Sequence, residues 1–210
     1  MRERSTSIVV LDAMGVLYEA DDDVELLLVP FILEHLGRAD HTEIVRYYIE
    51  ASLGSVTSAE FWSLVGMSGT SDSEYLSRHR LAHGVRELLQ QLRAREIRTA
   101  CLSNDVSEWS LWLRTHFGLD EWIKDWFISG DLKERKPAPG IYRALIERTG
   151  ANPRDILFFD DREANLDAAA KLGISTVLVA PESRAGSGRH RRIRSLHEAA
   201  AVVDQFEQRA

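Results

Sequence analysis

The sequence predicts an α/β fold with a mostly parallel sheet covered by helices on both faces. Three features of the 210-residue chain predict it. Five apolar stretches, Ile8–Leu11, Thr99–Leu102, Trp126–Ser129, Ile156–Phe159 and Thr176–Val179, are too short for buried helices. Most are rich in β-branched or aromatic residues, and none alternates cleanly with polar ones, as expected of strands buried on both faces. Helical patterns separate the later stretches, the βαβ rhythm that makes successive strands parallel. From Asp21 to about Arg80 the rhythm breaks, and only helical patterns remain.

In chain order, the first strand ends at Asp12. Amphipathic segments follow at Val24–Leu36, Glu43–Leu53, Ala59–Val65 and Ser73–Leu81, and Thr57-Ser-Ala-Glu60 is a capping-box pattern. This is a helical subdomain inserted after the first strand. There it overlies the strand ends at which α/β sheets bind ligands, so it reads as a lid. Val85–Arg95 places Val85, Leu88, Leu89 and Leu92 on one face and leads into the second strand. Trp109 and Trp112, one or two turns beyond it, cover the sheet. Helices over Gly140–Thr149 and Ala164–Leu172 separate the third, fourth and fifth strands. Arg184–Arg194 reads as a solvated loop with a basic run, before a last helix at Ser195–Phe206. The expected organisation is a core of residues 1–18 and 82–210 with a helical cap at 19–81.

Composition removes several functional classes. With 44% hydrophobic and 28% charged residues, the chain is that of a soluble globular protein rather than a disordered one. No apolar run approaches the ~18 residues of a membrane span, and the longest, Leu26–Leu33, is cut by Pro30. Met1–Ser7 carries mixed charge ahead of a short apolar run, unlike a signal peptide. The single cysteine, Cys101, excludes an internal disulfide or a cysteine-built zinc site and points to a reducing cytoplasm. A net charge of −7 argues against a nucleic-acid-binding surface. Only Lys124, Lys133, Lys136 and Lys171 among the 26 basic residues are lysines, so lysine chemistry has few places to occur. An enzyme or binding domain remains, monomer or homodimer, with no membrane or nucleic-acid partner.

Polar residues at the strand ends carry the chemistry. Asp12 follows the first strand, Ser103-Asn104-Asp105 the second, Lys136-Pro137 the third by a loop, and Asp160-Asp161 ends the fourth. In a parallel sheet these ends face one crevice. Two adjacent aspartates near a third are costly unless a cation neutralises them, and an all-oxygen donor set suits Mg²⁺. Lys136 and the Ser103 hydroxyl are then free to hold phosphate oxygens, and Asp12 remains as a nucleophile of the aspartyl-phosphate type.

Four motifs in this order, Ile8-Val-Val-Leu-Asp-Ala-Met-Gly-Val-Leu17, Leu102-Ser-Asn104, Arg135-Lys-Pro-Ala-Pro-Gly-Ile-Tyr142 and Phe158-Phe-Asp-Asp-Arg-Glu-Ala-Asn165, cover nearly the whole chain. They resemble those of the haloacid dehalogenase superfamily of hydrolases. The resemblance implies a Rossmann-like, doubly wound core with a small helical cap between the first and second motifs. It implies Asp12 as nucleophile, Ser103 and Lys136 as phosphate ligands, with Asn104 beside them, and Mg²⁺ held by Asp12, the Met14 carbonyl and Asp161, supported by Asp160. Asn104 and Asn165 brace the loops. The expected activity is Mg²⁺-dependent hydrolysis of a small phosphorylated metabolite.

The departure from the pattern is Met14. Phosphatases of this superfamily usually carry a second aspartate there, which protonates the leaving oxygen and then activates water. Methionine does neither, so acid–base help worth ~10²–10⁴-fold is missing or comes from elsewhere. Leaving groups of low pKa are then favoured over alkyl esters, unless a carboxylate or histidine of the cap supplies the proton. Two alternatives stay open: a 2-haloacid-type dehalogenase, against which Asp160-Asp161 counts, and a catalytically weak member that binds a phosphorylated ligand or a protein. Cleavage of a carbon–phosphorus bond through a cap lysine fails, because residues 18–85 contain no lysine. Tyr18, Glu19, Tyr47, Tyr48 and Trp62 are candidate substrate contacts, though aromatics in a small bundle are more often core. Asp21-Asp22-Asp23 reads as helix N-capping, Arg38 and Arg46 as surface arginines, and none of the seven histidines shows metal-ligand spacing.

Overall fold

A computed structural model describes residues 7–184 and 186–208. Residues 1–6, on which the reading of the N-terminus rests, and residue 185 of the basic loop lie outside the described residues. The strands are β1 (Ile8–Leu11), β2 (Arg98–Ser103), β3 (Asp125–Ile128), β4 (Ile156–Asp160), β5 (Ser175–Val179) and β6 (Arg191–Ile193). They form one parallel sheet in the order β3-β2-β1-β4-β5-β6. Helices among the described residues are α1 (Val29–Leu36), α2 (His41–Ser52), α3 (Ser58–Leu64), α4 (Asp72–Leu76), α5 (Val85–Ala94), α6 (Ser107–His116), α7 (Ser129–Leu132), α8 (Pro139–Thr149), α9 (Glu163–Ala170) and α10 (Ala199–Glu207).

Both sheet faces are buried, which is why the strands read as unbroken apolar runs. Val9, Leu11, Cys101 and Phe159 face a core shared with α5, α6 and α10. Ile8, Val10, Leu102 and Phe158 face a second core shared with α8 and α9. The inserted helices α1–α4 extend the first of these cores: Phe31, Ile44, Phe61, Trp62 and Tyr75 are continuous with it. Asp72, at the start of α4, accepts hydrogen bonds from Ser58 Oγ (2.7 Å), Trp62 Nε1 (2.7 Å) and Trp109 Nε1 (2.8 Å). Trp109 belongs to α6, so one carboxylate joins the insert to the helix after β2. The capping box at Thr57 forms as expected: Thr57 N donates to Glu60 Oε2 (2.7 Å), and Glu60 N donates to Thr57 Oγ1 (3.2 Å).

Four expectations are corrected. The basic loop contains β6, whose Arg191 and Ile193 register with Val177 and Val179 of β5. Its backbone completes the sheet edge while only Ile193 is buried, so hydropathy conceals it. The segment read as Ser73–Leu81 stops at Leu76, because the chain turns there and returns to the loop after β1: Leu81 bridges Tyr18, and Ala82 N donates to Leu17 O (2.9 Å). Val24–Leu28 is π-helical ahead of α1, where Pro30 lacks the N–H that would continue an α-helical ladder. The last helix divides into a 3₁₀ turn at Leu196–Glu198 and α10. Among the described residues no helix is long and apolar enough to cross a membrane.

From β1 the chain winds outward through β2 and β3 and then crosses to β4 on the other side. The crevice at this reversal lies beyond the C-terminal ends of β1 and β4, where such sheets bind ligands.

Candidate active site

Asp12 leaves β1 with its N–H donating to Phe159 O (2.9 Å), so β4 continues to hold the backbone at the strand end. Its Oδ1 accepts from Ala13 N (2.6 Å) and from Lys136 Nζ (2.8 Å). Lys136 also donates to Asp160 Oδ2 and Leu102 O, both at 2.8 Å, so all three of its protons are engaged. Asp160 is fully buried. Its Oδ1 accepts from Arg162 N (2.8 Å), and both its oxygens accept from Asn165 Nδ2 (3.0 Å), which turns it into the protein as a brace. Asn104 closes the same frame: Nδ2 donates to Lys136 O (2.9 Å), and Oδ1 accepts from Lys136 N (2.7 Å). Both ends of the Asn104 amide are thus committed to the lysine loop. The buried Ser103 Oγ has no hydrogen-bond partner.

The loop after Asp12 brings a second carboxylate close. Gly15 has φ +72°, and a Cβ there would lie 2.8 Å from Asp161 Cγ, so only glycine lets this loop approach β4. Arg184 donates from NH1 to both Asp161 O and Oδ2 at 3.2 Å, and from NH2 to Asp21 Oδ2. Carboxylate oxygens of Asp12, Asp160 and Asp161 all lie within 4.8 Å of one another, a grouping that can hold a metal ion.

Burial raises the Asp12 carboxyl well above the usual carboxylate range; Lys136 opposes this, and the charges of Asp160 and Asp161 add to it. Asp161 is pushed up to about 6, by burial first and then by Asp160. Burial works against the Lys136 ammonium, but the carboxylates of Asp12 and Asp160 outweigh it and hold the group above its ordinary value. Asp12 and Asp160 share the Lys136 ammonium, and Asp161 shares the Arg184 guanidinium with Asp21, which leaves an excess of negative charge that a divalent cation would match.

The cleft above this cluster has a volume of about 390 Å³. Asp12, Met14, Ser103, Asn104, Lys136 and Asp161 line its floor, and Asp23, Val45, Tyr48 and Ile49 of the inserted segment line its wall. Of the candidate substrate contacts, Tyr48 is at the cleft, with its hydroxyl donating to Asn104 O (3.3 Å). Tyr18 and Trp62 are buried in the core and Glu19 faces His83 (3.9 Å). Arg46 pairs with Glu43 and Glu50 at 3.9 and 3.7 Å, and Arg38 borders a separate groove.

The acidic run divides three ways. Asp22 Oδ1 accepts from Glu25 N (3.2 Å) as a cap and Oδ2 pairs with Arg162, Asp21 pairs with Arg184, and Asp23 is buried against Tyr75 and His79. Asp23, Arg135, Arg162 and Arg184 are the site residues that sequence reasoning missed. Arg184 had a partial signal, since it opens the basic run after the fifth strand. Arg135 and Arg162 flank Lys136 and Asp161 in the quoted motifs, and Asp23 reaches the cleft through tertiary packing.

A model of the haloacid dehalogenase-like hydrolase family matches residues 6–173. Curated relatives include a phosphorylated carbohydrates phosphatase of Thermotoga maritima, 26% identical over 94 residues, which are 45% of this chain and 44% of that protein. A phosphoglycolate phosphatase of Nitrosospira multiformis is 29% identical over 184 residues and 79% of each chain. The fold is shared with a haloacid dehalogenase-family phosphatase from Thermococcus onnurineus, with TM-score 0.74 and 17% identity over 94% of this chain and 97% of that one. It is also shared with a family enzyme from Bacteroides thetaiotaomicron, solved with magnesium and inorganic phosphate, with TM-score 0.69 and 23% identity over 87% and 97%. A family match over most of its length, on this sheet and with these strand-end residues, makes the chain a member of the haloacid dehalogenase-like hydrolases.

Proposed function

We propose that this hydrolase cleaves a small phosphorylated metabolite, a phosphomonoester, with the help of Mg²⁺ and through an aspartyl phosphate on Asp12. The observation that carries the reading is the carboxylate cluster at the ends of β1 and β4: Asp12 and Asp160 on Lys136, with Asp161 close to both, beside an unpaired Ser103 hydroxyl. The donor set is all oxygen and suits Mg²⁺; Asp12, the Met14 carbonyl and Asp161 would hold it, with Asp160 bracing Lys136. When bound, the ion neutralises charge on the phosphoryl oxygens and on the carboxylates. Family phosphatases with known substrates and a magnesium-bound relative of the same fold support this choice.

Asp12 attacks phosphorus with its carboxylate; Lys136, bonded to that carboxylate, opposes the effect of burial on it, and its positive charge lowers the cost of charge on the equatorial oxygens. The Ser103 hydroxyl, costly to bury unpaired at ~1–3 kcal/mol, donates to a phosphoryl oxygen. Asn104 and Asn165 keep the lysine loop and Asp160 in register. Water then cleaves the aspartyl phosphate. Residues 19–81 act as the cap, and Val45, Tyr48 and Ile49 give the leaving group a partly apolar wall. Cys101 is buried, as suits a cytoplasmic enzyme with no disulfide to form.

Turnover of p-nitrophenyl phosphate is expected with Mg²⁺ and not with EDTA, and Asp12→Asn is expected to lower it by ~10⁴-fold or more. Activity that survives both EDTA and Asp12→Asn would overturn the proposal, and release of halide from a 2-haloacid without metal would replace it with the dehalogenase.

A further inference from the structure

The proposed reaction leaves one role unfilled. The leaving oxygen needs a proton, and Met14 stands where family phosphatases carry the acid. The cleft wall offers few substitutes. Asp21 is paired with Arg184 and Asp22 with Arg162, each neutralised by an arginine, and Glu25 is bonded to His41. Burial pushes the Tyr48 hydroxyl well above its usual range, and that hydroxyl already donates to Asn104 O. Asp23 differs from all of these. It lines the same cleft as Asp12 and Met14, is 5% exposed, and is paired with no arginine or lysine among the described residues.

What holds Asp23 is a histidine and a tyrosine of the insert. Tyr75 Oη donates to Asp23 Oδ2 (3.2 Å). His79 Nε2 lies 3.9 Å from the same oxygen, on a side chain with 0% exposure. His79 Nδ1 is 3.2 Å from Leu76 O, an acceptor only, so Nδ1 carries a proton. Nε2 has no hydrogen-bond partner. The ring packs edge to face against Tyr18 and Tyr75 at centroid distances of 6.1 and 5.3 Å. A buried ring nitrogen with no hydrogen-bond partner therefore lies 3.9 Å from a carboxyl that lines the cleft. With the Nδ1 hydrogen on Leu76 O, Nε2 is left as an acceptor beside Asp23 Oδ2.

We propose that Asp23 is the general acid and base of this hydrolase, with His79 and Tyr75 as its positioning residues. This rests on the phosphomonoesterase reading above. As the Asp12 oxygen bonds to phosphorus, the bond from phosphorus to the leaving oxygen breaks and its electron pair stays on that oxygen. The oxygen takes the Asp23 proton and departs as an alcohol. Asp23, now a carboxylate, removes a proton from the water that attacks the aspartyl phosphate. Phosphate leaves, Asp12 returns to carboxylate, and Asp23 is an acid again.

The test compares kcat/KM for ethyl phosphate and p-nitrophenyl phosphate, with Mg²⁺, in wild type, Asp23→Asn, His79→Asn and Tyr75→Phe. An alkyl leaving group needs the proton and p-nitrophenolate scarcely does. Asp23→Asn is expected to widen the aryl-to-alkyl ratio by ~10²-fold or more, within the range for losing a general acid. His79→Asn and Tyr75→Phe are expected to widen it less and in the same direction. The ratio is taken within one preparation, so a partly folded variant still reports it. A ratio unchanged in Asp23→Asn overturns the proposal, whether both rates fall together or neither falls. Wild type inactive on both esters would instead remove the phosphomonoesterase reading, and the proposal with it.

Discussion

At Asp72 one carboxylate meets three neutral donors, whereas at the ends of β1 and β4 Asp12 and Asp160 share one ammonium and Asp161 shares Arg184 with Asp21. The first arrangement joins α3, α4 and α6 with every contact matched. The second leaves Asp12 and Asp161 with carboxyl groups raised by burial and by one another. Both sites lie against the same apolar core. The difference is between a polar group placed to stabilise the fold and a cluster whose charge waits for a ligand. Marginal proteins tolerate the second kind only where function requires it.

The larger way to break this contrast is Asp72→Ala. It leaves two indole N–H groups and the Ser58 hydroxyl without their acceptor, and it cuts the polar link between the insert and α6. Denaturant unfolding is expected to show a loss of ~2–4 kcal/mol, less than the sum of three separate bonds because they share one acceptor. Turnover per folded molecule should persist, since Asp72 does not line the cleft.

The smaller effect has the opposite sign. The Asp161 carboxyl is about 6 in the folded protein and ~3.9 in an unfolded chain, so folding favours its protonated form. A raised carboxyl supports the fold below pH ~4 and loses that support as pH rises through about 6. Asp161→Asn stays neutral throughout. In EDTA the variant is expected to be more stable than wild type by ~1–3 kcal/mol at pH 7 and to match it near pH 4. Thermal unfolding with added Mg²⁺ should then stabilise wild type and leave the variant nearly unmoved. Equal stabilities at pH 7 in EDTA would show that the cluster is not strained.

The same contrast marks what could be read from the sequence. Asp12, Ser103, Asp160 and Asp161 each end an apolar run, and a parallel sheet sends all such ends to one edge, so their meeting follows from local pattern. Lys136 needed only a short loop to join them. Asp23 and His79 had no such signal. The first looked like part of a capping run, and the second sat in a segment read as helix beyond Leu76. The two meet only because the chain turns at that point and returns Leu81 to Tyr18. β6 was hidden for a related reason: its pairing is a property of the backbone, and its arginines have no apolar period. Strand ends are legible because topology orders them, whereas the wall of the cleft depends on how four short helices pack.

The central claim is that Asp12 attacks phosphorus. A single turnover of p-nitrophenyl phosphate in ¹⁸O-labelled water, with enzyme in excess and an acid quench, addresses it directly by mass spectrometry of the Asp12 peptide and the released phosphate. Attack by Asp12 on phosphorus gives a transient phosphoryl adduct on Asp12, ¹⁸O in the phosphate and none in the Asp12 carboxyl. Release of phosphate with no adduct, or ¹⁸O in the Asp12 carboxyl, would contradict it.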